Sequence, residues 1–313
     1  MSHSRTFLTE PTSPNNEKDD DEDTVPEPEG MRLITPNNFS LQGSQPVNTT
    51  PAAEWKLKLG LTSAVRTNSD VADTALGSSA ATDTFFYNGA TLSAMPKLGE
   101  TTRLSANING GFIRYAGDSV NDYDTLNANL GVFQQLGANM SGDLGWRYAQ
   151  YYVAADPFIQ NPRDLQEQGV RLALRRTDRL PSDFFLNSTY EFQANFSDPV
   201  DRSRISNYFT AGLGYDFPNN FKGTVSYGLK HDDYTRRTIN DNATRHELQA
   251  QLGYQATKYI NLAGTVSYLF GDSIDLLRNP TSVDATTVNT GSANDLNNLS
   301  FGFRIGVNVP LLD

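Results

Sequence analysis

The chain has 313 residues, of which 19% are charged and 37% hydrophobic, with a mean hydropathy of -0.50. No apolar run approaches the ~18 residues that a membrane-spanning helix needs, so a helical membrane protein is excluded. With 24 Gly, 14 Tyr and 17 Phe, and scarcely a segment at helical period, the sequence points to an all-β protein rather than an α or α/β enzyme.

The net charge of -11 is uneven along the chain. Residues 1 to 50 hold nine acids, five of them in the run Asp19 to Asp23, against Arg5, Lys18 and Arg32, which leaves -5 on the remainder. Seven of the 15 prolines also fall before residue 53. Such a stretch buries too little apolar surface to offset its ordering entropy, so residues 1–52 are expected to form a disordered, acidic, Pro-rich tail. The plain expectation is a solvated leader; a sharper one is contact with periplasmic or other envelope proteins. Met1 to Leu8 lacks the apolar run of a secretion signal, which leaves a signal removed before this numbering or a chain that is not exported. The acidic balance argues against nucleic-acid partners. The absence of Cys excludes a disulfide framework and thiolate metal sites.

From Trp55 onward a period of two takes over. Trp55, Leu57, Leu59 and Leu61 alternate with Lys56, Lys58, Gly60 and Thr62, and Leu104, Ala106, Ile108 and Phe112 alternate with Arg103, Ser105, Asn107 and Asn109. Similar sets run through Leu126–Val132, Leu144–Tyr148, Val170–Leu174, Phe184–Phe196, Ala211–Phe217, Phe221–Leu229, Leu248–Tyr254, Ile260–Phe270 and Leu299–Val309, and a weaker one spans Phe85–Ala94. Each marks a strand with one apolar and one polar face, about twelve in all. Five short connections, such as Pro96 to Gly99 and Pro218 to Asn220, alternate with six longer ones around Arg66–Asp83, Ala116–Asn121, Ala154–Gln166, Ser197–Arg202, His231–Arg245 and Gly271–Asn297. Short and long connections therefore lie on opposite rims, and an even strand number puts both chain ends on the short-turn rim.

An alternating strand turns its apolar face inward in a soluble sandwich and outward in a membrane barrel. Strands of about ten residues, the up-and-down order and a polar face with charges at mid-strand favour the barrel. Aromatics near strand ends, including Trp146, Tyr148, Tyr152, Tyr215, Tyr254 and Tyr268, suit interfacial girdles. The expected fold over residues 53–313 is an all-β, up-and-down antiparallel transmembrane β-barrel. The lipid-facing register contains Leu57, Leu130, Leu172, Phe192, Leu252 and Phe303.

Over residues 53–310, this pattern and blocks such as Tyr215-Asp216-Phe217-Pro218-Asn219-Asn220-Phe221-Lys222-Gly223-Thr224-Val225-Ser226-Tyr227 resemble Gram-negative outer-membrane β-barrels, and loosely the β-barrel porins of exopolysaccharide gene clusters. The resemblance is architectural and implies an outer-membrane location with lipid as the partner; it carries no functional residue over. One departure is the end Val309-Pro310-Leu311-Leu312-Asp313, where that family closes on an aromatic residue.

The chemistry is mostly that of a wall rather than a catalyst. His231-Asp232-Asp233 reads as a loop start rather than a metal site, and His246 as an interface residue rather than half of a hydrolytic pair. No phosphate-cradling motif occurs. The chain is therefore expected not to be an enzyme, and to need no cofactor or metal. The polar register holds Lys56, Lys58, Arg103, Arg147, Arg171, Arg175, Lys222, Lys230 and Arg304 against Asp143, Glu191, Asp216 and Glu247, a surplus of five cations. Such rings attract anions. The expected function is a narrow porin-like channel for small anions or acidic oligosaccharides. The alternatives are a non-conducting outer-membrane anchor or assembly partner, and a soluble all-β binding protein.

Overall fold

The computed structural model describes residues 57–70, 82–116, 122–153, 165–198, 200–236, 242–272 and 295–312. The expected tail, Trp55 and Lys56 lie outside the described residues, as does most of the connections at 71–81, 154–164 and 273–294. Twelve strands follow in order: β1 (Leu57–Asp70), β2 (Thr82–Ala94), β3 (Thr102–Tyr115), β4 (Tyr123–Gln135), β5 (Met140–Val153), β6 (Leu165–Arg179), β7 (Phe184–Asp198), β8 (Arg204–Asp216), β9 (Phe221–Tyr234), β10 (Asn242–Gln255), β11 (Ile260–Asp272) and β12 (Asp295–Leu312). Each pairs antiparallel with its sequence neighbours, and β1 closes on β12, so the sheet is a closed barrel with no free edge. The expected all-β up-and-down barrel is the observed one. Pro310 falls where β12 has run past the end of its pairing with β11, so its missing N–H breaks no ladder bond on that side.

The short-turn rim is made by local chemistry. Asn219 and Asn220 adopt φ of 59° and 66°, and Ser182 and Asp183 φ of 61° and 62°. Asn and Asp tolerate this left-handed region because their short polar side chains bond locally. The turn then closes through the Phe217 N–H, which donates to the Phe221 carbonyl at 3.0 Å. Leu57 and Leu312 meet on this same rim.

The direction of each face is settled by burial and reach. The register holding Leu61, Phe86, Ile108, Leu130, Leu144, Val170, Leu213, Val225, Leu252, Phe301 and Phe303 is exposed. The opposite register is more buried, and its side chains meet across an intervening strand, as Arg147 of β5 does with Gln193 of β7 and Arg66 of β1 with Ser267 of β11. Side chains converge in this way only on the concave face. Leu57, Leu172 and Phe192 share the outward register with Leu130, Leu252 and Phe303. A closed barrel with an apolar exterior requires lipid around it.

Two features correct the sequence expectation. First, most strands run 13 to 15 residues, so they reach well into the segments expected as loops. Arg66, Asp232 and Arg245 stand on strands. At ~3.3 Å per residue and a tilt near 40°, such a strand stands ~35 Å tall, beyond an apolar band of ~25 Å. Above the band the outward residues turn polar, as with Thr67, Gln166, Gln168 and Thr244, and the alternation that marked the strand fades although the ladder continues. Second, not every apolar side chain faces outward. Ala64, Phe85, Tyr87, Ile113, Tyr123, Ala149, Tyr151 and Leu165 form a buried cluster on the inner face, beneath Tyr115. It lies inside the long-loop half of β1 to β6, with Tyr123 and Tyr151 rings 6.3 Å apart and Phe85 and Tyr115 rings 5.5 Å apart. Burying each large member contributes about 1.5–3 kcal/mol.

Candidate pore-lining site

Lys58, Arg103, Arg147, Arg171, Arg175, Lys222, Lys230 and Arg304 fall on the inward register, as do Asp143, Glu191, Asp216 and Glu247. The same register also holds Arg66, Arg179, Arg204 and Arg245, with Glu167 and Asp232. Leaving aside Asp70 and Asp83, which stand on the same register at the long-loop ends of β1 and β2, twelve cations are set against six carboxylates, a surplus of six where the sequence count gave five. The missed residues lie near the strand ends. They could have been found by continuing each strand's parity two to four residues past its last apolar position.

The charges form three levels. Near the short turns, Asp216 takes an ion pair from Arg179 and another from Lys222 at 3.6 Å, while the Lys222 ammonium sits 4.2 Å from the centre of the Phe185 ring. At mid-height, Arg171 spans β5 to β7 by donating to Asp143 at 2.8 Å and to Glu191 at 2.6 Å. Gln193 donates to Glu191 and accepts from Arg147 at 2.7 Å. On the closing side of the barrel, Arg66 donates to Ser300 and Ser267, and those two hydroxyls share a hydrogen bond of 2.8 Å.

Towards the long loops, Asp232 is fully buried and gathers Arg204, Lys230 and Arg245, with Ser206 donating to it at 2.5 Å. Arg204 reaches across β7 to Glu167 at 2.5 Å. Desolvating so many charges is tolerable only because each carboxylate here is met by guanidinium or ammonium groups. Five of the six inward carboxylates are in ion pairs; Arg103, Arg147 and Arg175 are in none among the described residues. The Arg147 Nη2 is buried without a hydrogen-bond partner. It lines a small lumen cavity together with Glu191, Arg204, Tyr208, Lys230, Arg245 and Glu247.

The wall opposite is mostly amide, with Arg103 on its register. Asn129 donates to Asn107 and Asn127 to Asn109, each at 2.9 Å, making an amide ladder between β3 and β4. Gly131 and Gly145 face each other on the inner wall between β4 and β5, where a Cβ on Gly131 would come within 2.8 Å of the Leu144 carbonyl oxygen.

Neither histidine of these strands enters the lumen. His231 shares a 3.0 Å hydrogen bond with Thr244. His246 shares one of 2.7 Å with the Tyr227 hydroxyl and stacks on Phe270 at 4.9 Å, in an outward aromatic group at the long-loop edge. No group of three metal-ligating side chains occurs among the described residues.

No family model and no curated protein matches the sequence. Solved structures do match in fold. An outer membrane channel from Pseudomonas putida F1 aligns with a TM-score of 0.53 at 12% identity, covering 82% of this chain and 97% of that one. The β domain of the Bordetella autotransporter BrkA aligns at 0.45 and 14% identity, over 80% and 98% of the two chains, and the KdgM porin at 0.40 and 9%, over 79% and 98%. With its apolar exterior and closed twelve-strand sheet, the chain is a transmembrane β-barrel, and it shares that fold with the Pseudomonas putida F1 outer membrane channel.

Proposed function

We propose that the barrel is a narrow outer-membrane channel whose lumen draws in small anions, with acidic oligosaccharides as the larger substrate class. The observation that carries this reading is the excess of cations on the inward register, three of which, Arg103, Arg147 and Arg175, make no ion pair among the described residues. In a low-dielectric cleft such charges focus a field that concentrates anions. The two-sided wall suits an acidic sugar chain in particular: carboxylates meet the cationic side, and hydroxyls meet the Asn107–Asn129 and Asn109–Asn127 ladder.

Purified full-length protein in planar bilayers under a salt gradient tests this. The reading expects discrete conductance with a reversal potential on the anion side, moved towards zero by Arg147→Gln with Arg175→Gln. Cation selectivity, or a reversal potential unmoved by both substitutions, overturns it. A second reading, a non-conducting anchor or assembly partner, is favoured by the Phe85, Tyr123, Tyr151 and Leu165 cluster, which fills part of the lumen's long-loop half. Absence of any conductance at all voltages supports that reading.

A further inference from the structure

On the lipid-facing register of β1 to β3, one polar pair interrupts the apolar belt. Asn88 stands between Phe86 and Ala90 on its own strand, opposite Ser63 on β1 and Phe112 on β3. Ser63 is itself exposed between Leu61 and Val65. The Asn88 carboxamide makes no hydrogen bond to any described residue. The outward amides of Asn207 and Gln150, by contrast, each accept one from a tyrosine hydroxyl, Tyr190 at 2.8 Å and Tyr148 at 2.6 Å. A carboxamide facing hydrocarbon without a partner is costly, since lipid tails neither donate nor accept.

The surroundings of Asn88 suit a close neighbour. Ser63, Ala90 and Gly110 present little side chain. A Cβ added at Gly110 would meet only the Thr125 carbonyl oxygen, at 3.7 Å, so the barrel's own packing does not require glycine there. Small residues at a membrane interface let two backbones approach. A carboxamide carries both donor and acceptor, so it is its own complement across a twofold axis.

We propose that a second copy of this chain packs against the β1–β3 face, with the two Asn88 side chains hydrogen-bonded across the symmetry axis. Because the native chain has no cysteine, a single introduced thiol reports its own neighbourhood. Full-length Asn88→Cys and, on the opposite wall, Leu213→Cys are expressed in outer membranes and oxidised in place. A disulfide-linked dimer from Asn88→Cys and little from Leu213→Cys is the expected result. Monomer only at Asn88→Cys, equal linkage at both sites, or linkage to a different protein each overturns the proposal. In detergent at graded dilution, Asn88→Leu lowers the association constant about tenfold and Asn88→Gln, which keeps the carboxamide, preserves it. Unchanged association in a properly folded Asn88→Leu barrel also overturns it; if that variant does not fold, the cysteine pair decides.

Discussion

The two sides of the lumen solve the same problem, a polar wall inside a closed sheet, with different chemistry. From β5 to β10 the inner face is a lattice of ion pairs, with Arg171 bridging Asp143 and Glu191 at mid-height and Asp232 holding three cations near the long loops. From β2 to β4 the inner face is mostly amide, hydroxyl and glycine, topped by buried aromatics, with Arg103 near the short turns and Asp83 on the same register at the long-loop end of β2. An ion-paired wall fixes side chains in place and sets a field across the lumen; an amide wall supplies hydrogen bonds and little field. The stability of the charged side should therefore depend sharply on single residues, and that of the neutral side should be spread thinly.

The largest break in this contrast is expected at Asp232. Its removal in Asp232→Ala strands Arg204, Lys230 and Arg245 in a buried place, at a cost of about 3–5 kcal/mol. Urea titration of folding into lipid vesicles measures it. A loss below ~1 kcal/mol would show that the lattice is wetter and looser than its burial implies. Tyr151→Ala comes next, at about 3 kcal/mol from the lost ring and the space left behind, because Tyr151 is fully buried in the aromatic cluster. This variant also sharpens the choice between channel and anchor: conductance that rises when the ring is removed identifies the cluster as a constriction.

A third substitution pair separates the wall's two faces rather than its two sides. Arg in place of Leu252, outward and exposed, should cost roughly 2–4 kcal/mol near the bilayer midplane, and Arg in place of Gln251 on the lumen face much less. Equal costs in folding titrations would contradict the assigned direction of β10.

These contrasts also show which parts of the molecule could be read in advance. The strand count, the rims and the outward register were legible because lipid imposes a strict apolar alternation, as along Leu248, Ala250, Leu252 and Tyr254. Where the strands rise above the hydrocarbon, that constraint stops. Arg66, Asp232 and Arg245 therefore looked like loop residues, and Glu167 lay just beyond one, although all four belong to the polar lining. The aromatic cluster was hidden for a related reason. Phe85, Ile113 and Tyr151 are apolar and stand on strands, so hydrophobicity alone invites the outward reading, although their parity is that of the polar face; their packing inside the barrel shows that they fill it. Ion pairs such as Arg204 with Glu167 join strands 37 residues apart in sequence, and no local pattern records them.

The smallest expected effect lies in the amide ladder, and it tests the comparison from its weak side. Asn129→Ala removes one donor to Asn107 at a half-buried site facing a wet lumen, where water can replace the lost bond. The net worth of such a neutral hydrogen bond is about 0.5–1.5 kcal/mol, so the folding midpoint should move only slightly. Selectivity should not move at all, because no charge is added or removed. Arg147→Gln does the reverse: it keeps a donor for Gln193 but removes a charge, and should shift the reversal potential towards zero with little change in stability beyond the desolvation it relieves. If Asn129→Ala shifts selectivity as much as Arg147→Gln, the field does not come from the ion-paired side, and the two walls contribute to permeation through shape instead.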